Sequence, residues 1–115
     1  MHEMSIAQAI VEQAEAVMRQ EGAMRVTAVS VSVGRLSGVD RGALEFAFPF
    51  VARNTPAEGA TLAIEEIPAE LTCRVCKATT NPDLPFLVCE RCGSADVELL
   101  CGRELQLKTV ELATD

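Results

Sequence analysis

Cys73, Cys76, Cys89 and Cys92 form two C-x2-C pairs separated by twelve residues, and no other feature constrains this chain as strongly. Two such pairs can bring four sulfurs to the corners of a tetrahedron. Zinc accepts that geometry without any d-electron penalty, and a shell of four thiolates leaves no position open for a substrate. The spacing therefore predicts a structural metal site, for zinc or for iron as its main competitor, in a module over residues 71–92. A redox dithiol at either pair is a less economical account of two matched pairs. Gly93 permits the tight chain reversal that such pairs need. The segment lacks the apolar mass for a core of its own, so metal ligation must supply much of its folding free energy. Its basic residues Arg74, Lys77 and Arg91 alternate with Glu70, Asp83, Glu90, Asp96 and Glu98, a pattern for a structural or protein-facing module and not for nucleic acid.

With 115 residues, the chain can bury one modest core with a small appended module. It has no Trp or Tyr and only four Phe, so that core must be built from Val, Leu, Ile and Ala. A net charge of −7 repels phosphate backbones, and no basic stripe offsets it. No apolar run approaches the ~18 residues of a membrane span, and the start lacks the basic and apolar segments of a signal peptide. The expectation is a cytoplasmic protein with reduced thiols and no membrane or nucleic-acid partner. The fifth cysteine, Cys101, reads as a small, partly buried thiol in a strand.

Hydrophobic periodicity supplies the rest of the architecture. Ile6, Ile10, Ala14, Val17 and Met18 recur at helical spacing between Met4 and Gln20, and Gly22 offers a left-handed stop. Val26–Val33 reads as a strand with Val29, Val31 and Val33 on one face. Asp40 can cap a second helix from Arg41 to Arg53 with Leu44, Ala47, Phe48 and Val51 inward, kinked or broken at Pro49. Strands follow at Thr61–Ile67, Val97–Leu100 and Glu104–Leu112. In the last, Leu105 and Leu107 share one parity and Val110 and Leu112 the other, which a bulge near Thr109 would reconcile. Both helices are too short to stand alone in water. The predicted fold class is α+β: two helices packed on a small mixed β-sheet, with the four-cysteine zinc-binding module inserted between strands. Residues 1–70 plus 93–115 form the body, and 71–92 the module.

At the other end of the chain, Met1-His2-Glu3 places an amine, the single histidine and a carboxylate directly ahead of the first helix. The Met1 amine, the His2 amide and the His2 ring can form fused chelate rings around one ion. The Glu3 amide could complete a plane of four nitrogens, or its carboxylate could supply an oxygen. Such a set suits nickel(II) or copper(II) far better than zinc or magnesium. Taken alone, the residues leave the simpler alternative ahead, in which Glu3 favours the positive end of the helix.

The opening Met1-His2-Glu3-Met4-Ser5 with its helix resembles the HypA/HybF family of nickel metallochaperones. The same holds for Gly34, Ala57-Glu58-Gly59-Ala60, Cys89-Glu90-Arg91-Cys92-Gly93-Ser94 and Gly102-Arg103-Glu104-Leu105. The resemblance runs in order along essentially the whole chain; Pro49 and Cys101 are departures from it. It implies transferable Ni(II) at Met1, His2 and Glu3, and structural Zn(II) at Cys73, Cys76, Cys89 and Cys92. It further implies delivery of nickel to a [NiFe]-hydrogenase large subunit with the maturation GTPase HypB, and service to urease maturation proteins in some relatives. The rival expectation is a zinc-ribbon interaction or regulatory module without a specific nickel site. An enzyme fits worst, because there is no second histidine and no phosphate-cradling glycine loop.

Overall fold

The computed structural model describes residues 3–82 and 87–114. In chain order these form helix α1 (Glu3–Gln20), strand β1 (Arg25–Gly34), helix α2 (Arg41–Ala52) and strands β2 (Thr61–Ile67), β3 (Glu70–Cys73), β4 (Thr79–Thr80), β5 (Val97–Cys101) and β6 (Leu105–Ala113). Two three-stranded sheets result, ordered β2-β1-β6 and β4-β3-β5.

The first sheet is mixed. β1 lies parallel to β2, with Val31 opposite Ile64, and antiparallel to β6. A parallel neighbour needs a crossover connection, and α2 occupies it. The valines Val26, Val29, Val31 and Val33 of β1 are buried beneath the helices. On β6, Ser30 faces Thr109 while the next residue, Val31, faces Leu107. Lys108 is thus the extra residue of a bulge. That one-residue shift brings Leu107 together with Val110 and Leu112 against the core despite their opposite parity.

α1 ends as its sequence dictates. Gly22 adopts φ +70°, and the Ala23 amide donates back to the Met18 carbonyl at 3.0 Å, closing a Schellman turn. The buried stripe of α1 is Ala7, Ile10, Val11, Ala14 and Met18. It is shifted from the expected one by including Ala7 and Val11, with Val17 only half-buried, because α1 meets α2 as well as the sheet and must present a wider apolar arc. α2 is capped by Asp40, whose side chain accepts from the Ala43 amide at 3.2 Å. The expected break at Pro49 does not occur; the helix runs through it to Ala52. Pro49 and Glu45, whose carbonyl it cannot bond, are both exposed residues of α2, where water can supply the missing donor and limit the cost.

The second sheet surrounds the cysteines. β3 is its centre, antiparallel to both β4 and β5. β5 is the expected strand near Val97–Leu100, and it belongs to this sheet. β4 carries no apolar pattern: its two threonines pair with Leu71 and Thr72, and the Thr72 and Thr79 hydroxyls lie 3.3 Å apart across the pair. The two sheets meet at a narrow waist, where the β2–β3 and β5–β6 connections close on the end of β1. Gly34 N–H donates to Glu104 O at 2.6 Å, Arg35 N–H to Ile67 O at 2.9 Å and Leu36 N–H to Gly102 O at 2.6 Å. The molecule is accordingly long, 57 × 25 × 15 Å.

Candidate metal centre

The two C-x2-C segments fold into the same small loop twice. In the first, the Cys73 sulfur accepts from the Val75 amide at 3.3 Å and the Cys76 amide at 3.4 Å. In the second, the Cys89 sulfur accepts from the Arg91 amide at 3.4 Å and the Cys92 amide at 3.5 Å. Backbone closure is equally matched. Cys73 N–H donates to Ala78 O and Lys77 N–H to Cys73 O; Cys89 N–H donates to Ser94 O and Gly93 N–H to Cys89 O. Arg74 fastens one loop to the strand beyond the other, its guanidinium lying 3.1 Å from both the Asp96 carboxylate and the Val97 carbonyl.

These loops face one another. Cys73 and Cys92 sulfurs lie 3.6 Å apart, as do those of Cys76 and Cys89, and all four fall within 4.8 Å of one another. Sulfurs about 2.3 Å from one tetrahedral ion would be spaced close to the shorter of these separations. Cys73 and Cys89 are buried, while Cys76 and Cys92 are exposed.

The electrostatics also call for a cation. The Cys76 amide foremost, with that of Val75, holds the Cys73 thiol below its ordinary value. The Cys92 amide, with that of Arg91, brings Cys89 down to about 6. At Cys92 the Ser94 amide pulls the same way, but the neighbouring sulfurs, Cys73 first, and burial outweigh it, pushing the thiol up to about 11. Backbone amides thus prepare one thiolate per loop, Cys73 and Cys89, whereas the neighbouring sulfurs and burial hold Cys92 in its protonated form. The donor set, its spacing and its charge fit a divalent metal held by all four residues, with no histidine or carboxylate among the ligating group.

Lys77 and Gly93 occupy equivalent positions in the two loops, at φ +67° and +80°. Glycine takes this conformation freely, whereas a lysine is strained in it. Lys77→Gly is therefore expected to raise the stability of the metal-loaded module by about 0.5–1 kcal/mol, measured by chelator competition or urea unfolding. An unchanged or lowered midpoint would contradict the equivalence of the loops.

The second predicted constellation is only partly within the described residues. Met1 and His2 lie outside them. Glu3 is the first residue of α1, and its carboxylate accepts from the Asp40 amide at 2.9 Å. That bond, first among the causes, holds the Glu3 carboxyl below its usual range. Sequence reasoning found Asp40 as a cap but missed its contact with Glu3, since no local pattern links residues 37 positions apart. Cys101 stands away from the four-sulfur cluster. Its thiol donates to Pro68 O at 3.4 Å, and burial, with Glu70 and Glu104 nearby, pushes it up.

Known proteins match this arrangement along its length. Residues 1–112 match the family model described as hydrogenase/urease nickel incorporation, metallochaperone, HypA. The chain is 40% identical over 114 residues to the hydrogenase maturation factor HypA of Nitrosospira multiformis, covering 99% of each. It is 40% identical to the HypA of Roseiflexus sp., covering 100% of this chain and 94% of that one. Its fold superposes on the solution structure of the Ni metallochaperone HypA from Helicobacter pylori with a TM-score of 0.69 at 26% identity, covering 100% of both. The two helices, the mixed sheet and the four-sulfur cluster thus belong to a member of the HypA family of nickel-incorporating hydrogenase maturation factors.

Proposed function

We propose that this chain carries Ni(II) at its free amino terminus and keeps Zn(II) as a permanent structural ion at Cys73, Cys76, Cys89 and Cys92. The observation that supports the division is the closed sulfur cage. Four thiolates saturate a tetrahedral ion, so cargo that must be surrendered needs a different and more open place. Met1 and His2, with the Glu3 backbone, offer nitrogen donors of the kind nickel prefers. The cargo leaves by ligand exchange, in which an incoming donor from the recipient takes one coordination position at a time. The zinc module is centred on 71–92, with β5 completing its sheet, and the body is the remainder of 1–70 plus 93–115.

The chain itself performs no catalysis. Its recipient is a [NiFe]-hydrogenase large subunit, reached with the GTPase HypB in the cytoplasm, and urease maturation is a second route suggested by the family description. Among the described residues no helix is long and apolar enough to cross a membrane.

A nickel titration of untagged, zinc-loaded protein, beside the same protein bearing one extra residue before Met1, tests this assignment. Extension removes the terminal amine from the ligand set, and His2→Ala removes the ring. Each is expected to weaken nickel binding by on the order of a hundredfold, at the upper end of what losing even a supporting group costs a metal site. Zinc stoichiometry and the fold should be unchanged. Equal nickel affinity in native and extended forms would leave a zinc-ribbon interaction module as the better description.

A further inference from the structure

α2 has half of a capping box. Asp40 at its N-cap accepts from the Ala43 amide, and Leu44 N–H donates to the Asp40 carbonyl at 3.0 Å. In a complete box the third residue after the cap is Glu or Gln, and its side chain reaches back to the amide of the cap. Here that position is Ala43, which has no acceptor. The missing half comes from elsewhere: Glu3 Oε2 lies 2.9 Å from the Asp40 amide nitrogen. A residue at the start of α1 thereby finishes the cap of α2.

We infer that Glu3 is a positioning residue whose carboxylate completes the α2 cap, and that it stays on the Asp40 amide while nickel is carried, leaving only its backbone to serve the metal. This rests on the terminal nickel assignment. The geometry has a direct consequence for that site. Residue 3 is where the chain enters α1, and without its side-chain bond that point would be related to the rest of the body through the packing of α1 on α2 and the sheet. The bond pins the entry point to a second helix, so the backbone atoms next to the terminal ligands have a fixed base. A carboxylate bound to nickel through the same oxygen could not hold the amide, so the two roles are experimentally separable.

Three forms distinguish them: the full-length native chain, Glu3→Gln and Glu3→Ala, each untagged and zinc-loaded. Glutamine retains an acceptor oxygen for the Asp40 amide but is a poor metal ligand; alanine lacks both. Two measurements are made, hydrogen exchange of the Asp40 amide by NMR without and with nickel, and the nickel absorption spectrum with affinity. The expected result is that the Asp40 amide is protected in the native protein both without and with nickel, still protected in Glu3→Gln, and unprotected in Glu3→Ala. All three should give the same nickel spectrum at saturation, with affinity falling about tenfold in Glu3→Ala and clearly less in Glu3→Gln, as for loss of a supporting group.

A changed spectrum in Glu3→Gln would make the carboxylate a ligand and overturn the inference. So would release of the Asp40 amide when nickel binds the native protein. Should the native protein bind no nickel at its terminus, the carrier assignment itself fails and this positioning role with it. Native binding combined with a changed spectrum in Glu3→Gln refutes the positioning role alone.

Discussion

Replacing Cys73 or Cys89 with serine should abolish zinc retention and unfold the four-cysteine module while leaving the helical body intact. The expectation follows from how little else holds that module. Among the described residues outside the main core cluster, the buried apolar side chains are Ala69, Leu71, Cys73 and Cys89, with Pro82 also buried. Full burial of a leucine such as Leu71 contributes about 1.5–3 kcal/mol. Ordering the backbone costs roughly 1–2 kcal/mol for each residue fixed, which a few such side chains cannot offset over a segment of this length. Ligation of a structural zinc contributes an apparent ~10–16 kcal/mol at neutral pH, and nothing else within the module is of that size. Cys73 and Cys89 are the sensitive positions because each is buried and receives two amides. A serine there strands those amides as well as losing a ligand. The body keeps Phe48, Leu44, Val26, Val29 and Val31, all at or below 2% exposure. Metal counting and amide NMR spectra check the outcome: zinc near zero, collapse of dispersion for residues 70–101, and native shifts for α1, α2 and the β2-β1-β6 sheet. One zinc retained per chain, or unfolding of the whole protein, would contradict it. Acid should act in the same direction. The bound ligands are thiolates and protons compete with the metal for them, so metal affinity is lost as pH falls. Cys89, already lowered to about 6 by the Cys92 and Arg91 amides, takes up a proton at lower pH than Cys92, which is pushed up to about 11.

Periodicity and spacing identify elements well wherever a physical period exists. Val29, Val31 and Val33 mark one face of β1, Gly22 ends α1, and Asp40 caps α2; each signal acts within a few residues and survives folding. The clashing parities of Leu107 and Val110 point either to a bulge or to strand ends that pack differently, and Lys108 provides the bulge. Sheet membership is another matter. Val97–Cys101 looks like any short strand, and only the two facing cysteine loops, which bring β5 beside β3, decide which sheet receives it. The buried positions Ala7 and Val11 were overlooked for a related reason: a helix that packs on two partners buries a wider arc than a single amphipathic stripe implies. At the sites, C-x2-C spacing announces four ligands because the ligating atoms sit in one short segment. The bond from Glu3 to Asp40 has no such local pattern and became visible only once α1 and α2 were placed side by side.

The waist between the two sheets supplies a second large effect, at a position whose residue type looks unremarkable in the sequence. A Cβ built on Gly34 would lie 2.2 Å from the Gly102 carbonyl oxygen and 2.5 Å from the Glu104 amide nitrogen. Both are backbone atoms and cannot swing aside as a side chain would. Nor can Gly102 retreat: it sits at φ +124°, with its own added Cβ only 2.8 Å from the Ala69 Cα. Gly34→Ala must therefore push the β5–β6 connection off the end of β1, weakening the bonds from Gly34 to Glu104 and from Leu36 to Gly102. A loss of about 1–3 kcal/mol, the range for overpacking a filled site, is expected in urea unfolding. Gly34→Val should cost more, because two further methyl groups enter the same space. Gly42→Ala is the appropriate control. It lies in the first turn of α2, where an added Cβ meets only the Asp40 carboxylate at an ordinary 3.6 Å, and should be neutral or stabilising by about 0.5–1 kcal/mol. The cage lies within the module and not at the waist, so Gly34→Ala should still retain one zinc per chain even as the two sheets lose their fixed relation. Stability equal to the native protein would mean that the waist tolerates displacement. Loss of zinc in Gly34→Ala would mean instead that the body and the metal loops fold as one cooperative unit.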